Sequence, residues 1–213
     1  MGGTLYIFAH RALASCHCGP LTSNVRPRKV PPSERHHQTA ALLAAAVLFG
    51  ASTAIVAADS ALRAPNAVPI SAKLVTSGQP SVDALSKLSA QGFGAVIYLA
   101  PPTVSDAVPD EAEIVRKQGL EFVNISIQFG KPTQADFESF VTAMNRLSER
   151  KVLVHCQVNM RASSMVFLYR VIVGREQPEQ AYEAVAKVWS PEGPWRNLLV
   201  TQLRKAGVAF EPY

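Results

Sequence analysis

Two short apolar runs constrain this chain more than anything else in it: Ala95–Ala100 (AVIYLA) and Lys151–His155 (KVLVH). Neither alternates apolar with polar residues, which marks strands buried on both faces, as in a parallel sheet. Parallel neighbours need crossovers, and helical periodicity fills the intervals between the runs. Ser81 caps a helix expected through Gln91, with Val82, Leu85 and Leu88 on one face and Gly92 as its stop. A second helix is expected from about Pro109 to Gly119, its acids Asp110, Glu111 and Glu113 suiting the positive N-terminal end. Glu121–Ile127 alternates like a strand. Thr133 and Asp136 stand at capping-box spacing before a helix to about Glu149, where Phe137, Phe140, Val141, Met144 and Leu147 recur at three- and four-residue steps. Further helices are expected near 161–173, 178–189 and 194–206. The pattern predicts an α/β fold, a central and mainly parallel sheet flanked by helices, in one domain over residues 73–213.

The segment ahead of that domain reads differently. Residues 39–58 run for twenty residues without a charge, follow Arg26, Arg28, Lys29 and Arg35, and end in small residues. That is the pattern of a signal peptide cleaved after Ala58, and it implies a periplasmic or otherwise exported protein. The alternative is an uncleaved membrane anchor, the one case in which a membrane becomes a partner. Residues 1–38 fit neither pattern and are expected to be a disordered extension or to precede the true start. Cys16 and Cys18 within them make half a metal site at best. Residues 59–72 are expected to be a linker. The formal net charge is +5, but the first 58 residues carry +4 of it. The domain is nearly neutral, so nucleic acid is excluded as a partner.

Val152–Ser164 (VLVHCQVNMRASS) passes from a buried strand through a tight loop straight into a helix. Such a loop aims successive backbone N–H groups and the positive helix end at one point, which makes an anion site. Cys156, at the strand's end, lies in that field, which favours its thiolate. Arg161 can fold back as a planar fork on two oxygens of a tetrahedral oxyanion. A nucleophile beside an oxyanion clamp specifies covalent displacement at phosphorus or sulfur. From residue 59 onward Cys156 is the only cysteine and His155 the only histidine. A disulfide and a His/Cys metal site within the domain are therefore excluded, and the site calls for no metal or cofactor. Neighbouring side chains on a strand point to opposite faces, so His155 is read as a group that bonds to backbone and shapes the loop, not as a base for Cys156. The bland alternative is a cysteine buried in a core strand. Trp189 and Trp195, around the Pro191–Pro194 turn, are assigned to the core in preference to the site.

His155-Cys156, a short loop and Arg161 together resemble the signature of cysteine-dependent protein tyrosine and dual-specificity phosphatases. Ser77-Gly78-Gln79-Pro80, Gly92-Phe93 and Gly119–Ile125 are similar to a bacterial branch, the phosphatase-like domain of beta-lactamase-hydrolase-like proteins, over roughly residues 70–185. The resemblance implies Cys156 as nucleophile, Arg161 as the phosphate-binding arginine, and the backbone of Gln157, Val158, Asn159 and Met160 as the oxyanion cradle. Ser163 stands one position later than the family serine that holds the leaving thiolate, and capping its own helix is an equal alternative. Four residues separate Cys156 from Arg161 where these phosphatases usually have five; the bacterial branch and the rhodanese sulfurtransferases share the shorter loop. Asn159 stands where short-loop relatives have glycine, and asparagine is the next most tolerant of a left-handed backbone. The family's proton donor, an Asp in the loop before the last helix–strand unit, is missing, because Gln128–Pro132 has no carboxylate. Asp106 and Asp110 lie in another loop that could reach over the site, and Asp136 is assigned to its own helix start.

The leading expectation is a phosphatase-like hydrolase that acts on a phosphate monoester, in a phosphorylated protein or a small molecule, through phosphocysteine. A rhodanese-like sulfurtransferase carrying a persulfide on Cys156 is the alternative, and a catalytically weak phosphate-binding pseudophosphatase a third.

Overall fold

In the computed structural model, residues 62–213 are described. The expected extension, the signal peptide with its cleavage point, and the Cys16–Cys18 pair lie outside the described residues. Five strands form one sheet in the order β1-β2-β5-β3-β4, with β1 Val68–Ser71, β2 Leu74–Ser77, β3 Ala95–Tyr98, β4 Glu121–Asn124 and β5 Val152–His155. Only the β1–β2 pair is antiparallel. β5 lies between β2 and β3, pairing Val154 with Thr76 on one side and with Ile97 on the other. Every residue of β3 and of β5 is buried, as the missing alternation requires. Among the described residues no helix is long and apolar enough to cross a membrane.

Helices cover both faces, and strand alternation assigns the residues. Val96 and Leu153 face α1 (Val82–Leu85) and α2 (Glu111–Arg116), packing with Leu62, Leu85, Leu88, Val115 and Leu120. Ala95, Ile97, Val152, Val154 and Cys156 face a larger core built from α3 (Gln134–Arg146), α4 (Met160–Ile172), α5 (Pro178–Ala186) and α6 (Gly193–Lys205). The capping box of α3 forms as its spacing predicts, Thr133 Oγ1 accepting from the Asp136 amide and Asp136 Oδ2 from the Thr133 amide. That fixes Asp136 at its helix start.

Several boundaries differ from expectation: α3 and α5 each end three residues early, at Arg146 and Ala186, and others bear on the fold. The stretch expected as a linker contains β1 and the core residue Leu62, so the domain begins earlier than residue 73. A four-residue edge strand with one exposed face carries too little pattern to be read in sequence. The helix expected over 81–91 is a single turn, α1, followed by a 3₁₀ turn at Ser89–Gln91; Ser81 does cap it, accepting from the Ala84 amide. The second helix starts at Glu111, not near Pro109, because Asp110 ahead of it is left-handed. β4 ends at Asn124, three residues short of the alternating run; the Asn124 side-chain amide donates to the carbonyls of Tyr98 and Ala100 beyond the end of β3.

Candidate active site

Cys156 follows β5 directly and is fully buried, and its amide donates to the Ser77 carbonyl of β2. The loop Gln157–Asn159 then runs into α4, whose first two residues are Met160 and Arg161. Asn159 is left-handed, with φ 73° and ψ −3°, the conformation that glycine holds most easily. Its carbonyl accepts the Ser163 amide and starts the helix. The Gln157 carbonyl accepts the Gln79 amide at 2.9 Å, and in a trans peptide the Val158 N–H points the opposite way from that carbonyl. Gly78 permits the approach, since a Cβ there would lie 2.8 Å from the Gln157 oxygen. Val158 itself is exposed.

Arg161 folds back into the protein. Only 4% of it is exposed, its Nε donates to the Ile127 carbonyl at 3.0 Å, and its Nη1 reaches Gln157 Oε1 at 3.3 Å. The guanidinium carbon lies 5.1 Å from the centre of the Phe129 ring. Among the described residues no carboxylate pairs with it. Phe129 in turn is held by the tryptophans: Trp195 Nε1 donates to its carbonyl at 2.9 Å, and both indole rings lie within 6 Å of its own. Trp195 is a core residue as expected, but the pair also supports the residue under the arginine.

His155 points to the other face of the sheet, as strand alternation predicts, but the backbone bonds expected of it do not form. Its Nε2 lies 2.7 Å from Glu111 Oε1 of α2, and among the described residues neither ring nitrogen bonds to backbone. The ring stacks on Tyr98 at 4.8 Å. Glu111 is buried and accepts from Gln79 Nε2 at 2.8 Å, tying the helix to the strand end beside the loop. Tyr98 is pushed up to about 12, first by burial and then by the negative charges of Glu111, Asp106 and Cys156, while Arg161 opposes the shift. Ser163 is buried, and its hydroxyl donates to the Met160 carbonyl at 3.2 Å. That bond runs back to a carbonyl within the first turn and caps no amide, since the N-cap position of α4 is Asn159.

The sequence left the proton donor open, and here the structure adds a contact. Asp106, in the loop between β3 and α2, accepts from Gln157 Nε2 at 2.6 Å. Gln157 therefore bridges a carboxylate and the arginine. Asp110 sits at the N-cap of α2. Sequence reading also missed Asn66, Glu111, Tyr98 and Phe129. Each comes from a different segment, and no local spacing connects them to the loop.

Sheet order, layering and the strand–loop–helix unit that carries Cys156 are those of protein-tyrosine-phosphatase-like α/β domains. The chain belongs to the family described as DSP-PTPase phosphatase fused to NAD+ kinase, which matches residues 55–194. It is similar to beta-lactamase hydrolase-like proteins of Xylella fastidiosa and Agrobacterium fabrum, each 30% identical over 116 and 114 residues. The first match covers 53% of this chain and 27% of the relative, so the chain spans about a quarter of these relatives' length. A solved DUF442 protein of Shewanella putrefaciens CN-32, provisionally named a phosphatase, is 30% identical with a TM-score of 0.61. That match covers 67% of this chain and 91% of the other. PTPMT1 shares the fold at a TM-score of 0.55 and 21% identity, over 66% of this chain and 96% of that one.

Proposed function

We propose that the protein is a cysteine-dependent phosphatase-like hydrolase of phosphate monoesters. The carrying observation is Arg161, a guanidinium buried five positions beyond a buried thiol and, among the described residues, paired with no carboxylate. Arginine is almost never fully buried unless paired, because desolvating a charge costs on the order of several kcal/mol, so such a site favours an anionic ligand. A phosphoryl group meets that requirement, with the positive end of α4 adding to the field.

In this reading the Cys156 sulfur attacks phosphorus, an S–P bond forms, and the P–O bond to the leaving group breaks. Arg161 and the loop amides bind the equatorial oxygens, which carry the charge of the transition state. Asp106 is the carboxylate in reach of the loop: Gln157 holds one of its oxygens, and the other delivers the proton to the departing oxygen. Water then attacks phosphorus and gives a proton back to Asp106, and the S–P electron pair returns to sulfur. His155 and Glu111 support the strand end from the opposite face. Asp106 in the role of proton donor favours ester hydrolysis over sulfur transfer, because a thiosulfate leaving group needs no protonation.

The test is release of inorganic phosphate from an aryl phosphate by the full chain, beside thiosulfate with cyanide. Phosphate release that falls at least about 10³-fold in both Cys156→Ser and Arg161→Ala is expected. Thiocyanate formation without phosphate release would instead assign sulfur transfer, and neither activity would leave a binding domain. With this activity we propose export directed by the charge-free run of residues 39–58, so that the phosphate ester is met outside the cytoplasm.

A further inference from the structure

We propose that Asn66 is a positioning residue of the oxyanion loop, locking the Val158–Asn159 peptide in the only orientation that admits an anion. The inference rests on the anion-cradle part of the proposed function.

The left-handed backbone of Asn159 and the direction of the Val158 carbonyl are one variable. Turning over a peptide plane rotates ψ of the residue before it and φ of the residue after it together. If Asn159 relaxed to the negative φ that side-chain-bearing residues prefer, the Val158 carbonyl would swing round to the opposite side of the loop. A carbonyl oxygen there would set partial negative charge against a bound oxyanion. Left-handed backbone is costly for a residue that carries a side chain. Glycine at 159 would avoid that cost, and this chain has asparagine there.

A pair of crossed amides opposes the relaxation instead. Asn66 Nδ2 donates to the Val158 carbonyl at 3.0 Å and holds it outward. Asn159 Nδ2 donates to the Asn66 carbonyl at 2.6 Å and to Thr76 Oγ1 at 3.1 Å. Each asparagine grips the backbone of the other's segment. Asn159 is completely buried, and Asn66 is itself left-handed with φ 48°. The segment cannot drift away, because the Pro65 carbonyl accepts the Gly78 amide at 2.7 Å and Leu62 is anchored in the core. The net contribution of such hydrogen bonds is comparable with the backbone cost they offset. Asn66 touches neither Cys156 nor Arg161, so its effect on the anion passes through the peptide it holds.

Glycine tolerates positive φ at either position, so glycine variants remove the amide without adding strain. Inorganic phosphate and orthovanadate are titrated into the full chain by calorimetry, with thermal unfolding as the control for folding. Asn66→Gly is expected to weaken anion binding about 3–10-fold and to lower kcat of the aryl phosphatase while KM changes in step with anion affinity. Asn66→Asp keeps the shape but sets an acceptor against the Val158 carbonyl, and it must lose at least as much. In an Asn159→Gly background the same Asn66→Gly change is expected to cost less, because glycine has no left-handed penalty to relax. Equal losses in the two backgrounds, or undiminished binding in Asn66→Gly, overturn the proposal. A wild-type chain that binds neither anion overturns it together with the cradle. Binding without hydrolysis overturns only the proposed function, and leaves the lock to be judged by affinity.

Discussion

Buried charge decides most of what single residues do at this site. The Arg161 guanidinium keeps donors unused by the protein, and its nearest support is an aromatic face and two neutral oxygens. Asp106 is the acid that Gln157 brings to the same loop. If it protonates the leaving group, Asp106→Asn lowers kcat about 10²–10⁴-fold for phenyl phosphate, whose phenol is as basic as a tyrosine. The loss is smaller for para-nitrophenyl phosphate, which departs readily as its anion. Equal losses for both esters would remove Asp106 from that role, and the comparison of kcat values decides it. At this scale the sequence made Cys156, Arg161 and Asn159 legible, because they sit within six residues of one another at a strand–helix junction. Asp106 was legible only as one of two aspartates in a loop that could reach over the site, and Asn66 not at all, since distance along the chain carries no signal of contact.

At the scale of elements, one strand end is gripped from several sides. β2 pairs with β5, and its continuation Gly78-Gln79 forms an antiparallel bridge to the loop at Val158. A methyl group on Gly78 would meet the backbone oxygens of Gln157 and Pro65 at 2.8 and 3.0 Å. Backbone cannot rotate out of the way as a side chain can. Gly78→Ala is therefore expected to destabilise the protein by about 1–3 kcal/mol, read from denaturant midpoints, and to weaken phosphate binding with it. Here the sequence reading was uneven for a physical reason. α3 and α4 have four turns of pattern to read and matched expectation closely at their starts. α1, β1 and the end of β4 are short, and tertiary contacts fix their limits.

Across the whole molecule, folding is coupled to alkaline pH through Tyr98. It lies at the C-terminal end of β3, with its ring on His155, and carboxylates from α2 and from the β3–α2 loop raise it on top of its burial. A proton held more tightly in the folded protein contributes stability below the ordinary tyrosine range, near 10. That contribution is lost as pH rises toward about 12. Unfolding free energy should therefore fall between those limits, and Tyr98→Phe should flatten part of the fall; Tyr182, also raised by burial, supplies another part. Urea titrations at successive alkaline pH values measure both, and an unchanged slope in Tyr98→Phe would contradict the assignment. The chain's own residue order was sufficient for the parallel sheet, its covering helices and the thiol–loop–arginine unit, because hydrophobic period and junction chemistry are local properties. Folding in three dimensions alone brought Asp106, Glu111 and Asn66 to that unit, since which distant polar groups meet depends on how strands are ordered and loops close, and no short-range pattern records it.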